Sequence, residues 1–183
     1  MAETNREQWL MDAIEIFRPW FKDVEKPLPE IVRVSVGWPK GKRKATIGVC
    51  HSSNSAEDKV PQIFISPAIA DSIQVLATLL HELIHAADDC QSGHGKEFGR
   101  VARGLGLTGK MTATVPGDDL SARLSDVLGK LGPFPHAVLT PASKPQTTRM
   151  LKAWCECGYT IRLTKKWADL GLPTCVCGLD MVM

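Results

Sequence analysis

The sequence contains no stretch approaching the ~18 consecutive apolar residues that a membrane-spanning helix needs, so no membrane partner is expected. It also lacks an excess of either charge. With 22 Lys and Arg against 20 Asp and Glu the net charge is +2, which neither demands nor excludes nucleic acid and requires any basic surface to be local. No internal repeat is present. The first residues, Met1-Ala2-Glu3-Thr4-Asn5-Arg6-Glu7, are polar and mixed in charge, and no apolar h-region with a small-residue cleavage site follows them. The expected location is intracellular: cytoplasmic, or nucleoid or nuclear for a DNA-associated protein.

In a reducing compartment disulfides are disfavoured, which leaves metal binding or burial to explain the six cysteines. Four of them are paired near the C-terminus. Cys50 and Cys90 stand alone and read as small buried hydrophobes. The length of 183 residues, 44% of them hydrophobic, fits one compact domain of ordinary size plus a small appendage.

Apolar residues at Trp9, Leu10, Ala13, Ile14, Ile16 and Phe17 predict an amphipathic helix from about residue 4 that stops near Pro19 and the Pro27-Leu28-Pro29 break. Two β-branched runs, 31–36 and 45–50, flank the basic turn Lys40 to Lys44 and read as an antiparallel pair. Gln62–Ile65 reads as a short strand. Ser66-Pro67 suits a helix start, and Ile69, Ile73, Leu76, Leu79, Leu80, Leu83 and Ile84 form the apolar stripe of a long helix reaching about Asp88. After a turn at 89–93, a further helix starts at His94 and ends at Gly104 and Gly106, and another runs from about 118 to 130. The prolines at 133, 135, 141 and 145 mark residues 133–149 as a semi-rigid linker. The expected domains are therefore 1–132 and a small module at 150–183.

On the long helix, His81 and His85 are four residues apart, so both side chains project from one face about a turn apart and can share a metal ion. Glu82, beside the first histidine, is placed to reach a metal-activated water, take its proton and later hand a proton to a leaving amine. A catalytic zinc needs three protein ligands and one open position. His94, nine residues beyond His85 and after the Gly93 turn, is the best third candidate. Asp88 and Asp89 read as solvated charge at a helix end or as hydrogen-bond partners of a ligand histidine. His51 and His136 have no partner pattern and read as non-ligands.

The run His81-Glu82-Leu83-Ile84-His85 followed by His94-Gly95-Lys96-Glu97-Phe98 resembles the SprT-like metallopeptidases, whose core pattern is a zincin helix followed by a histidine-glycine-x-x-phenylalanine element. The metzincin pattern fails, because Asp88 and Gln91 occupy the positions of its glycine and third histidine. The resemblance implies an α+β fold, a minimal zincin domain of helices packed on a small sheet with antiparallel strands, in which His81, His85 and His94 bind zinc and Glu82 is the catalytic acid/base. It implies a zinc-dependent endopeptidase with a protein substrate, and DNA-associated proteins are among the substrates of relatives.

Cys155-Glu156-Cys157-Gly158 and Cys175-Val176-Cys177-Gly178 place four thiols at the bases of two turns, and each glycine lets the backbone turn tightly around a metal. Four thiolates suit a closed structural zinc site, the staple that so small a module needs. The module resembles the zinc ribbon attached to many SprT-like proteins, giving two zinc ions in all, one catalytic and one structural. Lys152, Arg162, Lys165 and Lys166, with Trp154, Tyr159 and Trp167, could contact phosphates and stack on unpaired bases. The opposing reading is a purely structural ribbon with solvated charges, since Glu156, Asp169 and Asp180 dilute the basic face. The alternative for the whole chain is a non-proteolytic, nucleic-acid-binding or regulatory zinc protein on a zincin fold.

Overall fold

A computed structural model of the chain describes residues 5–39, 46–140 and 150–183. It divides into two compact units, Met1–Thr140 and Pro141–Met183. No described helix is long and apolar enough to cross a membrane. The basic segment Lys40 to Lys44 lies outside the described residues.

The first unit is a mixed α+β structure that opens with helix α1, Arg6–Asp23, started by the Asn5 side chain, which accepts from the Gln8 N–H at 2.8 Å. Contrary to the sequence expectation, α1 runs through Pro19. Phe21, four residues beyond Phe17, is fully buried with it, so aromatic packing outweighs the backbone bond that proline cannot donate.

Strands β1 (Arg33–Val36), β2 (Gly48–His51) and β3 (Gln62–Ile65) form one sheet in the order β1-β3-β2. The two β-branched runs expected to pair with each other are thus separated by β3. It runs parallel to β1, with Val34 opposite Ile63, and antiparallel to β2, with Cys50 opposite Ile63. β3 buries Ile63 and Ile65 on one face and takes the centre, leaving β2 on an edge.

Helix α2, Ser72–Ala87, begins later than the Ser66-Pro67 signal suggested, because Asp71 caps it by accepting from the Gln74 N–H at 2.8 Å. Ser66 is instead buried, and its hydroxyl closes a turn by accepting from the Ala68 N–H. Most of α2 is enclosed. Leu76, Leu79, Leu80 and Leu83 are wholly buried against α1, α4, β2 and β3, which fixes the helix at the centre of the unit and leaves His81 on its open side.

Helix α3, Lys96–Leu105, ends on Gly106 in the left-handed region at φ 95°. There a hairpin absent from the sequence expectations follows: β4 (Leu107–Lys110) and β5 (Ala113–Pro116), antiparallel. Helix α4, Asp118–Leu131, buries Leu120, Leu124 and Val127 in the same core.

Residues 133–139, expected to begin the linker, pack on this unit. Phe134 is buried beside Trp9, the Phe134 N–H donates to Ser72 Oγ, and the Leu139 N–H donates to the Pro67 carbonyl. Proline lacks a donor, but its neighbours supply apolar surface and N–H groups that dock the segment. The remaining expected linker residues, 141–149, lie outside the described residues.

In the second unit, β6 (Leu151–Trp154) and β7 (Thr160–Leu163) form an antiparallel hairpin followed by the short helix α5, Lys165–Ala168. Among its described residues the small buried core consists of Ala153, Cys155, Cys175 and Met181.

Candidate metal centre

One turn of α2 carries His81 and His85, whose ring centroids are 5.3 Å apart. His94 comes from the segment between α2 and α3, and its Nε2 lies 3.2 Å from the Nε2 of each of the other two. Phe98, four residues on and fully buried, packs its ring against all three imidazoles with centroids 4.6 to 5.0 Å away. This aromatic floor is what the glycine-x-x-phenylalanine part of the pattern supplies, since the first turn of α3 sets Phe98 beneath the histidine that precedes it.

The hairpin missing from the sequence expectations contributes here. Thr114 of β5 places its Oγ1 2.8 Å from His81 Nδ1, and with Nε2 turned to the other imidazoles, Nδ1 is the nitrogen left to donate to that hydroxyl. Such a partner fixes ring orientation and tautomer. The β-branched residues Thr108, Thr112, Thr114 and Val115 around Gly109 were the available signal for this strand pair.

Burial, then repulsion from the other imidazoles, lowers the pKa of His81 to about 4, and burial followed by His94 does the same for His85. Burial also lowers that of His94. All three rings are therefore neutral near pH 7, with lone pairs free for a cation. Protons displace an ion from histidine only where the imidazole itself titrates. As pH falls from 7, the expected result is metal loss from this site only below the pH at which an unperturbed imidazole titrates. Release followed at fixed free metal and centred near 6.5, the value of an unperturbed imidazole, would contradict this.

Glu82 is buried, and its pKa is raised to about 8, first by burial and then by the neighbouring Cys90, against a backbone hydrogen bond from Cys50. Its place is set by Gly48 of β2. A methyl group there would lie 2.6 Å from Glu82 Oε1 and 2.7 Å from Thr78 Cγ2. Only glycine lets the strand come this close to the helix. Gly48→Ala is expected to destabilise the chain by about 1–3 kcal/mol, the usual cost of overpacking, and to displace the Glu82 carboxylate. Thermal unfolding unchanged from the parent would show that the strand yields freely.

Neither of the aspartates expected to be solvated or to support a ligand histidine hydrogen-bonds to one, although the Asp88 charge raises the pKa of His85 against the effect of burial. Asp88 accepts from the N–H and hydroxyl of Ser92, and Asp89 from the N–H and hydroxyl of Ser53 at 2.5 and 2.8 Å. They pin the turn that leads to His94. His51 and His136 stand outside the cluster: His51 packs edge-on to Phe64, and the His136 ring bonds the Pro67 carbonyl. The histidines and Glu82 open on a cavity of about 940 Å³ also lined by Gly48, Cys50, Cys90 and Thr114.

The second unit gathers Cys155, Cys157, Cys175 and Cys177, all with sulfurs within 4.8 Å of one another. Two similar turns build the cluster. The Gly158 N–H donates to the Cys155 carbonyl and the Gly178 N–H to that of Cys175, with the glycines at φ 90° and 89°, left-handed values that explain their place in each motif. Of the residues read as nucleic-acid contacts, Lys152 and Arg162 stand directly opposite each other on the exposed face of the β6–β7 hairpin, which Trp154 shares. Lys165, Lys166 and Trp167 lie on α5, with Lys166 Nζ 4.9 Å from the centre of the Trp167 ring.

A mixed α+β unit with a three-histidine group that could hold a metal ion, joined to a unit with a four-cysteine group of the same kind, defines a metal-dependent class of protein. Within it the chain belongs to the SprT-like family, whose model matches residues 14–116, more than half of the length and all of the histidine site. The cysteine unit lies outside that match. Neither the curated proteins nor the solved structures give a match.

Proposed function

We propose that this chain is a zinc-dependent endopeptidase on a minimal zincin domain, with His81, His85 and His94 holding the catalytic ion, Glu82 as acid/base and the cysteine unit as a zinc ribbon. The observation that carries the reading is the convergence of three neutral imidazoles beside a buried carboxyl in an open cavity. Zinc fits this donor set: nitrogens at 2.0–2.1 Å from a tetrahedral ion lie about 3.3–3.4 Å apart, and those of His94 are 3.2 Å from its partners. The ribbon sulfurs, 3.5 Å apart across Cys155–Cys177 and Cys157–Cys175, suit a closed four-thiolate site.

When bound, the catalytic zinc supplies a Lewis acid that activates water and polarises a carbonyl oxygen. Thr114 holds the His81 ring in the binding tautomer. Glu82 takes the proton of the attacking water at its carboxylate and returns one to the departing amine nitrogen. Strand β2 lines the cavity from the sheet edge, so its outer backbone groups are available to an extended peptide. The zinc-loaded chain is expected to cleave a loosely folded protein, to stop when a chelator removes the metal, and to resume on zinc addition. Cleavage that persists in the chelator would reject the assignment.

A second reading, non-proteolytic nucleic-acid binding or DNA-directed proteolysis, is favoured by one feature of the hairpin. Lys152 and Arg162 face each other across the strands, a like-charge pair that costs stability unless something anionic lies over it, and Trp154 stands beside them, exposed. Single-stranded DNA binding measured across salt concentration, with the chain ending at 149 for comparison, tests this. A steep salt dependence that vanishes with the ribbon is expected, and binding that is absent or insensitive to salt would leave the ribbon a structural role only.

A further inference from the structure

The fold brings together two cysteines that stand alone in the sequence. Cys50 on the edge strand and Cys90 in the turn after α2 both line the histidine cavity. Cys90 Sγ lies 3.6 Å from the Cys50 carbonyl oxygen, which sets the Cys90 thiol against the residue that carries the other.

The local backbone does not favour this meeting. Asp89 and Cys90 have φ of 54° and 62°, a left-handed conformation that ordinary residues hold only when their surroundings enforce it. Here three contacts do so: the Cys90 N–H donates to the His85 carbonyl at 2.7 Å, Ser53 binds the Asp89 carboxylate, and Ser92 binds that of Asp88. A strained turn, tied down on both sides, thus holds the Cys90 sulfur against Cys50 beside the site.

We propose that Cys50 and Cys90 are a reversible dithiol, a modification site for low-molecular-weight disulfides, whose oxidation staples the His94-bearing turn to strand β2. The Cys90 sulfur, its proton lost, attacks one sulfur of the small disulfide; that S–S bond breaks and the leaving thiolate takes up a proton. The Cys50 sulfur, losing its own proton, then attacks the Cys90 sulfur of the mixed disulfide and expels a second small thiol. Cys50 and Cys90 together lose two electrons and two protons, and one small disulfide becomes two thiols. Cys90 lies five residues after His85 and four before His94. A bond from it to β2 therefore restrains the loop that brings the third imidazole to the other two. In a reducing compartment such a bond forms only under oxidising load.

The test exposes the full, metal-loaded chain to oxidised glutathione and maps its peptides without reduction. The expected product is one cross-linked pair containing Cys50 and Cys90, with a melting temperature raised by about 5–10 °C and returned by dithiothreitol. Neither change should occur in Cys50→Ser or Cys90→Ser. Both readouts are independent of peptidase activity, so they stand or fall apart from the proposed function, and mapping of the parent chain needs no variant to fold. Glutathione that remains on Cys90 without closing the pair would overturn the proposal, as would bonds only to ribbon cysteines. An equal oxidative shift in the parent and in Cys50→Ser would refute the staple.

Discussion

Glu82→Gln is expected to lower peptide-bond cleavage by about 10²–10⁴-fold, the usual weight of a positioned acid/base, while the histidine site keeps its metal. Glutamine matches glutamate in shape, so it fits the gap that Gly48 leaves and can still accept the Cys50 backbone N–H. It cannot take or return a proton. In the protein without metal the Glu82 carboxyl, with a pKa near 8, is mostly protonated at pH 7. A cation beside it stabilises the charged form and moves the group toward the base that the proposed reaction requires. The check pairs a cleavage assay with metal analysis of the same sample: full activity in the variant removes Glu82 from the chemistry, and loss of metal would make it a structural support of the site.

The second large effect is on metal content. The parent should hold two zinc ions per chain. His94→Ala removes one of three donors at a site whose other two share a single helical turn, and two imidazoles with water hold zinc far less firmly than three. One zinc should remain, in the cysteine unit. Cys175→Ser should remove the other and take the second unit's structure with it, because the buried core among its described residues is Ala153, Met181 and two of the cysteines themselves, with Ile161, Leu163 and Leu172 only partly buried against it. Structural zinc contributes on the order of 10–16 kcal/mol to such modules, more than the burial of Ala153 and Met181 can replace. Metal stoichiometry and the amide spectrum of residues 150–183 read both outcomes. Two zinc ions retained by either variant would break the corresponding assignment.

The parts of the site that could be read along the chain are those written at short range. His81 and His85 meet because a helix returns to the same face every 3.6 residues, and the apolar residues around them say which face is buried. The cysteine turns are equally local, with a glycine where the backbone needs positive φ. The chain also carries His94 back to α2 across only eight intervening residues. The limits of helices were less legible. Pro19 and Ser66-Pro67 are honest breaking and starting signals, overridden by the packing of Phe21 and by the stronger cap at Asp71.

What the sequence determined by itself is the chemistry on each short segment: a histidine pair with its carboxyl, a third imidazole close by, and two cysteine turns. The tertiary structure alone decided which distant residues serve them. It inserts β3 between β1 and β2, so that β2 becomes the edge beside α2. It sets Gly48 against Glu82, Thr114 behind His81, and Cys50 against Cys90. Those pairings join residues more than thirty positions apart, and strand order and the seating of one buried helix fix them. No local periodicity encodes either, because a strand's alternation records which face is buried and not which neighbour lies at its edge.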